Sequence, residues 1–211
     1  NEVAELISQS ISTNEPEKKI KDNWLFWSEG SVSIGTVDAT SKASTKNIDT
    51  NAVTLGMDKK INNQSVHGYT ITYIQEDAKI GDKGTSSDID SYSFSLYRAF
   101  SKGSNNYFEG VLGLSKLDIE NTRKSGSNTL KGSRNGKQIF GSLQAINTFK
   151  NKQTEVSPNV RLDLGYTILD EYSEIGTNPL KYDEQTVETV GIYGGFNSVS
   201  YTHLTLPTNL S

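Results

Sequence analysis

With 211 residues, the chain is long enough for one large all-β domain or two small ones. Only 33% of its residues are hydrophobic, and no window approaches the roughly 18 consecutive apolar residues of a transmembrane helix. The net charge is −4 with no basic stripe, which leaves nucleic acid no electrostatic footprint, and the absence of cysteine excludes disulfides, zinc knuckles and thiol chemistry.

A mean hydropathy of −0.55 still allows one kind of membrane protein. In a transmembrane barrel only alternate residues face lipid, so each strand is about half polar. Eighteen Gly, ten Tyr and seven Phe against four Pro suit a β-protein with an aromatic girdle. The chain begins at Asn1 without a signal peptide, so its true N-terminus is expected upstream.

Residues 1–22 carry the one helical pattern. Val3, Leu6, Ile7, Ile11 and Ile20 fall at roughly helical spacing, interrupted by Pro16. A surface helix or leader and a linker helix threaded through a pore both fit. From Trp24 the period changes to two, and eight strands follow. The first, Trp24 to Gly35, sets Val32 and Ile34 against Ser31 and Ser33. The second spans Ala52 to Asp58, the third Val66 to Glu76, and the fourth Asp90 to Phe100, where Tyr92, Phe94 and Leu96 alternate with Ser91, Ser93 and Ser95. The fifth is Tyr107 to Leu117 and the sixth Lys137 to Phe149. The seventh is the clearest, with Val160, Leu162, Leu164, Tyr166 and Ile168 alternating with Arg161, Asp163, Gly165 and Thr167. The eighth lies near Gln185 to Phe196.

The polar face distinguishes a membrane barrel from a soluble sandwich. It is mostly Ser, Thr, Gly and Gln, with isolated Glu109, Arg161 and Asp163, which suits a crowded aqueous lumen; the other face is rich in Tyr, Phe, Leu and Ile. Connections are expected to alternate in length. Thr36 to Asn51, Asp77 to Ile89, Asp118 to Gly136 and Asp170 to Glu184 read as long; Lys59 to Ser65, Ser101 to Asn106 and Asn151 to Thr154 read as short. Short periplasmic turns and long extracellular loops would place the start of the first strand on the periplasmic side. The fold class is therefore all-β, an antiparallel transmembrane β-barrel preceded by an N-terminal linker helix.

Several short motifs, in order, resemble the autotransporter β-domain family. They are Trp27-Ser28-Glu29-Gly30 in the first strand, Thr54-Leu55-Gly56-Met57-Asp58 in the second and Gly68-Tyr69 in the third. Ser95-Leu96-Tyr97 in the fourth follows, then Leu162-Asp163-Leu164-Gly165-Tyr166 with Asp170-Glu171-Tyr172 in and after the seventh. The resemblance covers about Lys21 to Ser198. It implies a twelve-stranded outer-membrane barrel, of which about eight strands are present, with the linker in its pore. It further implies an upstream passenger carried to the cell surface, contact with outer-membrane lipid and lipopolysaccharide, and insertion by the barrel-assembly machinery. A self-contained small porin or adhesin barrel without a passenger is the alternative.

The expected organisation is a linker over residues 1–22, a partial barrel over 23–198 and a non-native tail over 199–211. Val199 to Thr208 breaks the strand pattern and resembles a translated sequencing adaptor. No catalytic, cofactor or metal residues are assigned. The two histidines, His67 and His203, form no ligand motif, and neither Gly-x-Ser-x-Gly nor His-Glu-x-x-His occurs. Acidic pairs such as Asp88 and Asp90 read as solvated loop charges. Glu109, Arg161 and Asp163 remain as lumen-facing polar residues, either ordinary lining or partners for Glu15, Glu17, Lys18, Lys19 and Lys21 of the linker.

Overall fold

Strict alternation along extended segments favours antiparallel pairing, because a pleated strand points successive side chains to opposite faces. In the computed structural model, which describes residues 7–11, 24–41, 44–151 and 154–200, that pairing organises the whole chain. The strands are β1 (Ile7–Ile11), β2 (Trp24–Val37), β3 (Lys46–Asn62), β4 (Ser65–Ile80), β5 (Thr85–Lys102) and β6 (Asn106–Ser125). They continue with β7 (Asn128–Asn147), β8 (Phe149–Lys150), β9 (Thr154–Leu169), β10 (Tyr172–Ser173), β11 (Lys181–Tyr182) and β12 (Gln185–Ser200). One antiparallel sheet runs in the order β1-β2-β3-β4-β5-β6-β7-β9-β12, with β8 paired to β9, and β10 and β11 form a separate small ribbon. Among the described residues every long strand pairs with its neighbours in sequence, the up-and-down pattern of a barrel wall.

The helix expected over residues 1–22 is corrected where that stretch is described. Ile7–Ile11 is extended and pairs with β2, Ile7 opposite Ile34 and Ile11 opposite Gly30. The edge of β2 presents unpaired backbone donors and acceptors, which an extended segment satisfies and a helix does not. The rest of the expected helix lies outside the described residues.

The expected long connections are also corrected. Asp77–Ile89 is mostly strand, with β4 and β5 joined by the four residues Gly81 to Gly84, both glycines at positive φ. Asp118–Gly136 is likewise strand up to the two-residue turn at Gly126 and Ser127, where Gly126 has φ 60°. Alternation does not stop at these points; it inverts. On β3 to β6 the outward positions become Asp49, Asp77, Asp88 and Glu120, which stand directly opposite one another, while Ile74, Ile89, Leu117 and Ile119 turn inward. The strands have left the apolar layer and continue as hairpins with their own small core, in which Ala78, Ile119, Leu130 and Leu169 are buried.

Register places the apolar band on one face. Phe26, Met57, Tyr69, Leu96, Leu112, Gly141, Leu164 and Val190 form one row across eight strands, and Leu55, Ile71, Phe94, Leu114, Ile139 and Tyr166 fall in the next. Ile71, Leu114 and Leu143 are 60% exposed or more. A contiguous exposed apolar surface of this extent is unstable in water and satisfied in hydrocarbon. On β5 the outward run from Tyr92 to Phe100 covers about 27 Å along the strand, or about 20 Å across a bilayer at the usual barrel tilt. The band also drifts along the register: its upper apolar limit is Ile34 on β2, Tyr73 and Tyr92 on β4 and β5, and Val190 on β12. Strands tilted to the membrane normal produce that drift.

Candidate functional site: the polar concave face

The opposite face is built from small polar side chains. One row contains Glu29, Thr54, Thr72, Ser93, Ser115, Gln138 and Thr167, each opposite the next. Their side chains pair across the strands: Thr54 with Thr72 at 3.0 Å, Ser93 with Ser115 at 2.6 Å, and Gln138 Nε2 donating to Thr167 Oγ1 at 2.9 Å. Such cross-strand hydroxyl pairs satisfy one another and leave a smooth, neutral, hydrogen-bonding surface.

Larger groups lie to one side of this ladder. Trp27 Nε1 donates to Asp58 Oδ1 at 2.8 Å and lies 3.3 Å from the Tyr97 hydroxyl. Trp27 stands on β2 and Tyr97 on β5, yet the side chains meet, so this face is the concave one. Glycine makes the meeting possible. A Cβ at Gly56 would lie 2.2 Å from the indole, one at Gly68 would lie 2.4 Å from the phenol ring, and one at Gly113 would lie 2.3 Å from the Phe140 ring. Each aromatic ring lies over a glycine of the neighbouring strand.

Arg161 Nε donates to Asp163 Oδ1 at 2.7 Å, and Ser142 Oγ donates to the same oxygen at 2.7 Å. Glu109 accepts from the Tyr107 hydroxyl at 3.3 Å. Glu109, Arg161 and Asp163 line a common hollow of about 330 Å³ with Ser142 and Gln144. The carboxylates Glu29, Asp58, Glu109 and Asp163 outnumber the cations Lys60 and Arg161 on this part of the face, so the concavity is net acidic.

The far end of β6 and β7 carries a second polar assembly. Glu174 is 4% exposed at its side chain and takes a two-pronged interaction from Arg123, Nε at 2.7 Å and Nη2 at 2.6 Å. Its Oε2 also accepts from the Leu180 amide at 2.9 Å. The Arg123 guanidinium, opposed by burial and aided by that amide, holds the Glu174 carboxyl down at about 2. Ile175 and Lys131 exchange backbone hydrogen bonds at 2.7 and 3.1 Å, Tyr172 packs over Gly132, and the Tyr172 and Tyr182 rings stack at 4.7 Å. Residues 170–184 are thereby pinned to the ends of β6 and β7.

Sequence reading missed the three aromatic-over-glycine contacts of the concave face and the Arg123–Glu174 pair. The first had a signal, since Gly56, Gly68 and Gly113 occur at inward positions of otherwise regular strands. The second joins residues far apart in sequence and had none. Among the described residues no group of three or more His, Asp and Glu is placed to hold a metal ion. The Asp49, Asp77, Asp88, Glu120 row is spread along the outer face; burial, then Asp77 and Glu120, raises the Asp88 carboxyl.

A sheet with an apolar convex band, a hydroxyl-lined concave face and tilted strands defines an outer-membrane β-barrel wall. The family model described as the autotransporter beta-domain matches residues 26–202, and the chain belongs to that family, whose barrels sit in the outer membrane and serve transport. Among solved structures the chain is similar to the translocator domain of autotransporter NalP from Neisseria meningitidis. That match has a TM-score of 0.69 and 15% identity, and it covers 82% of this chain and 60% of that one. The ferric yersiniabactin uptake receptor FyuA from Yersinia pestis matches at TM-score 0.46 and 9% identity, over 84% of this chain and 32% of that one. No curated protein sequence matches. The chain spans less than two thirds of the NalP domain it resembles.

Proposed function

We propose that this chain supplies most of the wall of a barrel that carries an upstream passenger across the outer membrane and then holds its linker. The concave face carries this reading. Its Thr54, Thr72, Ser93 and Ser115 ladder offers an unfolded polypeptide a surface without deep apolar traps or fixed charge. The acidic flank formed by Glu29, Asp58, Glu109 and Asp163 can take Lys18, Lys19 and Lys21 of the mixed-charge stretch before β2, and Arg161 its Glu15 and Glu17. In this reading β2 starts in the periplasm, the turn at Asn63 and Gln64 is periplasmic, and the hairpin ends with their mixed charges reach the cell surface beside lipopolysaccharide. Insertion falls to the barrel-assembly machinery. The chain acts as a conduit and anchor, with no chemical step assigned to it. The tail after Ser198 is read as non-native, although β12 pairs regularly with β9 through Val199 and Ser200.

Pairwise cysteine crosslinking in the full-length protein tests the linker's position. Lys19→Cys should crosslink to Asp58→Cys or Glu109→Cys and not to Leu114→Cys on the convex face. Crosslinking to Leu114→Cys alone would overturn the reading. A self-contained porin or adhesin barrel would have no passenger upstream, and the complete reading frame separates the two.

A further inference from the structure

On β5 the outward positions Tyr92, Phe94, Leu96 and Phe100 are apolar, and Arg98 interrupts them. Arg98 is exposed on the lipid side, opposite His67 on β4 and Gly110 on β6. His67 is in turn opposite Lys59, and Lys59 opposite Trp24. One register row thus presents Lys59, His67 and Arg98 side by side. Two cations thus flank the His67 imidazole in one row, and an arginine facing hydrocarbon is unfavourable in proportion to its depth. Among the described residues no carboxylate forms an ion pair with any of the three. On β3 to β6 the outward carboxylates Asp49, Asp77, Asp88, Asp90, Asp118 and Glu120 all lie toward the opposite ends of the strands. Aromatic rings cover the cations instead: Lys59 Nζ lies 5.6 Å from the Trp24 ring centre and the Arg98 guanidinium 5.8 Å from that of Phe100.

Beside Arg98 the surface is hollow. Gly110 has no side chain and Ala145 only a methyl, and between them runs a groove of about 440 Å³ lined by Phe100, Phe108, Leu143, Val160 and Leu162, with Arg98 at its rim. Glu109, which borders the groove in sequence, alternates onto the concave face. A cationic row at the edge of an apolar groove matches a molecule with an anionic head and an alkyl tail.

We propose that this is a phospholipid site. The phosphodiester of an anionic glycerophospholipid of the inner leaflet sits on Arg98 with Lys59 and His67 alongside, and one acyl chain lies in the groove over Gly110. The leaflet rests on the reading that the Asn63–Gln64 end of the barrel is periplasmic.

Native mass spectrometry of the full-length protein tests the site, with dioleoylphosphatidylglycerol and dioleoylphosphatidylethanolamine offered at equal concentration in detergent. The wild type should retain the phosphatidylglycerol preferentially. Arg98→Gln should lower that retention about fivefold, as expected for one basic residue at an anionic surface. The Lys59→Gln, His67→Gln, Arg98→Gln combination should abolish the preference. Heat-modifiable gel migration checks that each variant folds. Equal retention of both lipids by the wild type, or unchanged preference in the triple variant, would overturn the proposal. Displacement of the lipid by inorganic phosphate at the same concentration would overturn it too, by reducing the site to a free-anion site. The leaflet is tested separately: a Gln64→Cys variant should be labelled by a membrane-impermeant maleimide only after the outer membrane is permeabilised. Labelling of intact cells would overturn the orientation whatever the lipid result.

Discussion

The indole nitrogen of Trp27 and the hydroxyl of Tyr97 lie 3.3 Å apart although β3 and β4 run between their strands. Two glycines allow it. Gly56 admits the indole and Gly68 the phenol ring, and Asp58 accepts the hydrogen bond of the indole N–H. The contact ties the first four barrel strands together on the concave side, where the hydrophobic effect contributes little. Gly56→Ala should destabilise the barrel by about 1–3 kcal/mol, the usual range for overpacking. Gly30→Ala should be nearly silent, because a Cβ there meets nothing closer than 4.0 Å. Urea unfolding of the full-length protein in detergent, followed by loss of heat-modifiable migration, compares the two.

Leu114 and Ser115 are neighbours in sequence with opposite fates. Leu114 is 60% exposed on the convex face and Ser115 is buried against Ser93 on the concave one. Leu114→Arg should cost about 2–4 kcal/mol if the site is near the bilayer midplane, and Leu164→Arg in the adjoining row a similar amount. Arg161→Gln on the concave face should change stability far less, since a wet lumen hydrates the freed Asp163. The same unfolding assay in lipid bilayers ranks the three, and an Arg161→Gln cost above that of Leu114→Arg would reverse the assignment of faces.

Much of this two-sided wall was legible in the sequence. Leu162, Leu164 and Tyr166 alternate with Arg161, Asp163 and Gly165 so regularly that strand and faces follow from period two alone. What failed was the reading of where strands end. Asp77, Asp88 and Glu120 appear as loop charges when the outer face is assumed apolar throughout, whereas they occupy the outer face of strands that continue above the membrane. A reversal of pattern looks like a loss of pattern when only one face is followed. The expected helix failed for a related reason. Ile7 and Ile11 sit at helical spacing, but five extended residues beside the edge of β2 gain backbone pairing that the spacing alone does not reveal. The Arg123–Glu174 pair depends on a contact between two distant segments, which no local pattern encodes.

That pair makes the 170–184 connection sensitive to acid. The Glu174 carboxyl is held at about 2 against an ordinary 4.5, so the charged form is favoured in the folded hairpin. A depressed carboxylate adds stability that is complete above its ordinary value and is lost as pH falls through 4.5 toward 2. Amide exchange at Lys131 and Ile175 should therefore speed up, relative to strand amides of β5, between those pH values. Glu174→Gln should show fast exchange already at neutral pH and little further change on acidification. A Glu174→Gln variant that keeps the wild-type acid profile would remove this carboxylate from the explanation.

The proposed function requires that a passenger pass through the polar concavity of the wall this chain forms. Its most direct test is the rate at which the passenger of the full-length protein becomes accessible to protease added outside intact cells. Thr72→Trp together with Ser93→Trp replaces two hydroxyls in the middle of the ladder with bulk that narrows the lumen and leaves the convex face untouched. The passenger should then appear at the surface severalfold more slowly, or stall in the periplasm, while the barrel still shows heat-modifiable migration. Passenger appearance at the wild-type rate from a correctly folded double variant would contradict the claim.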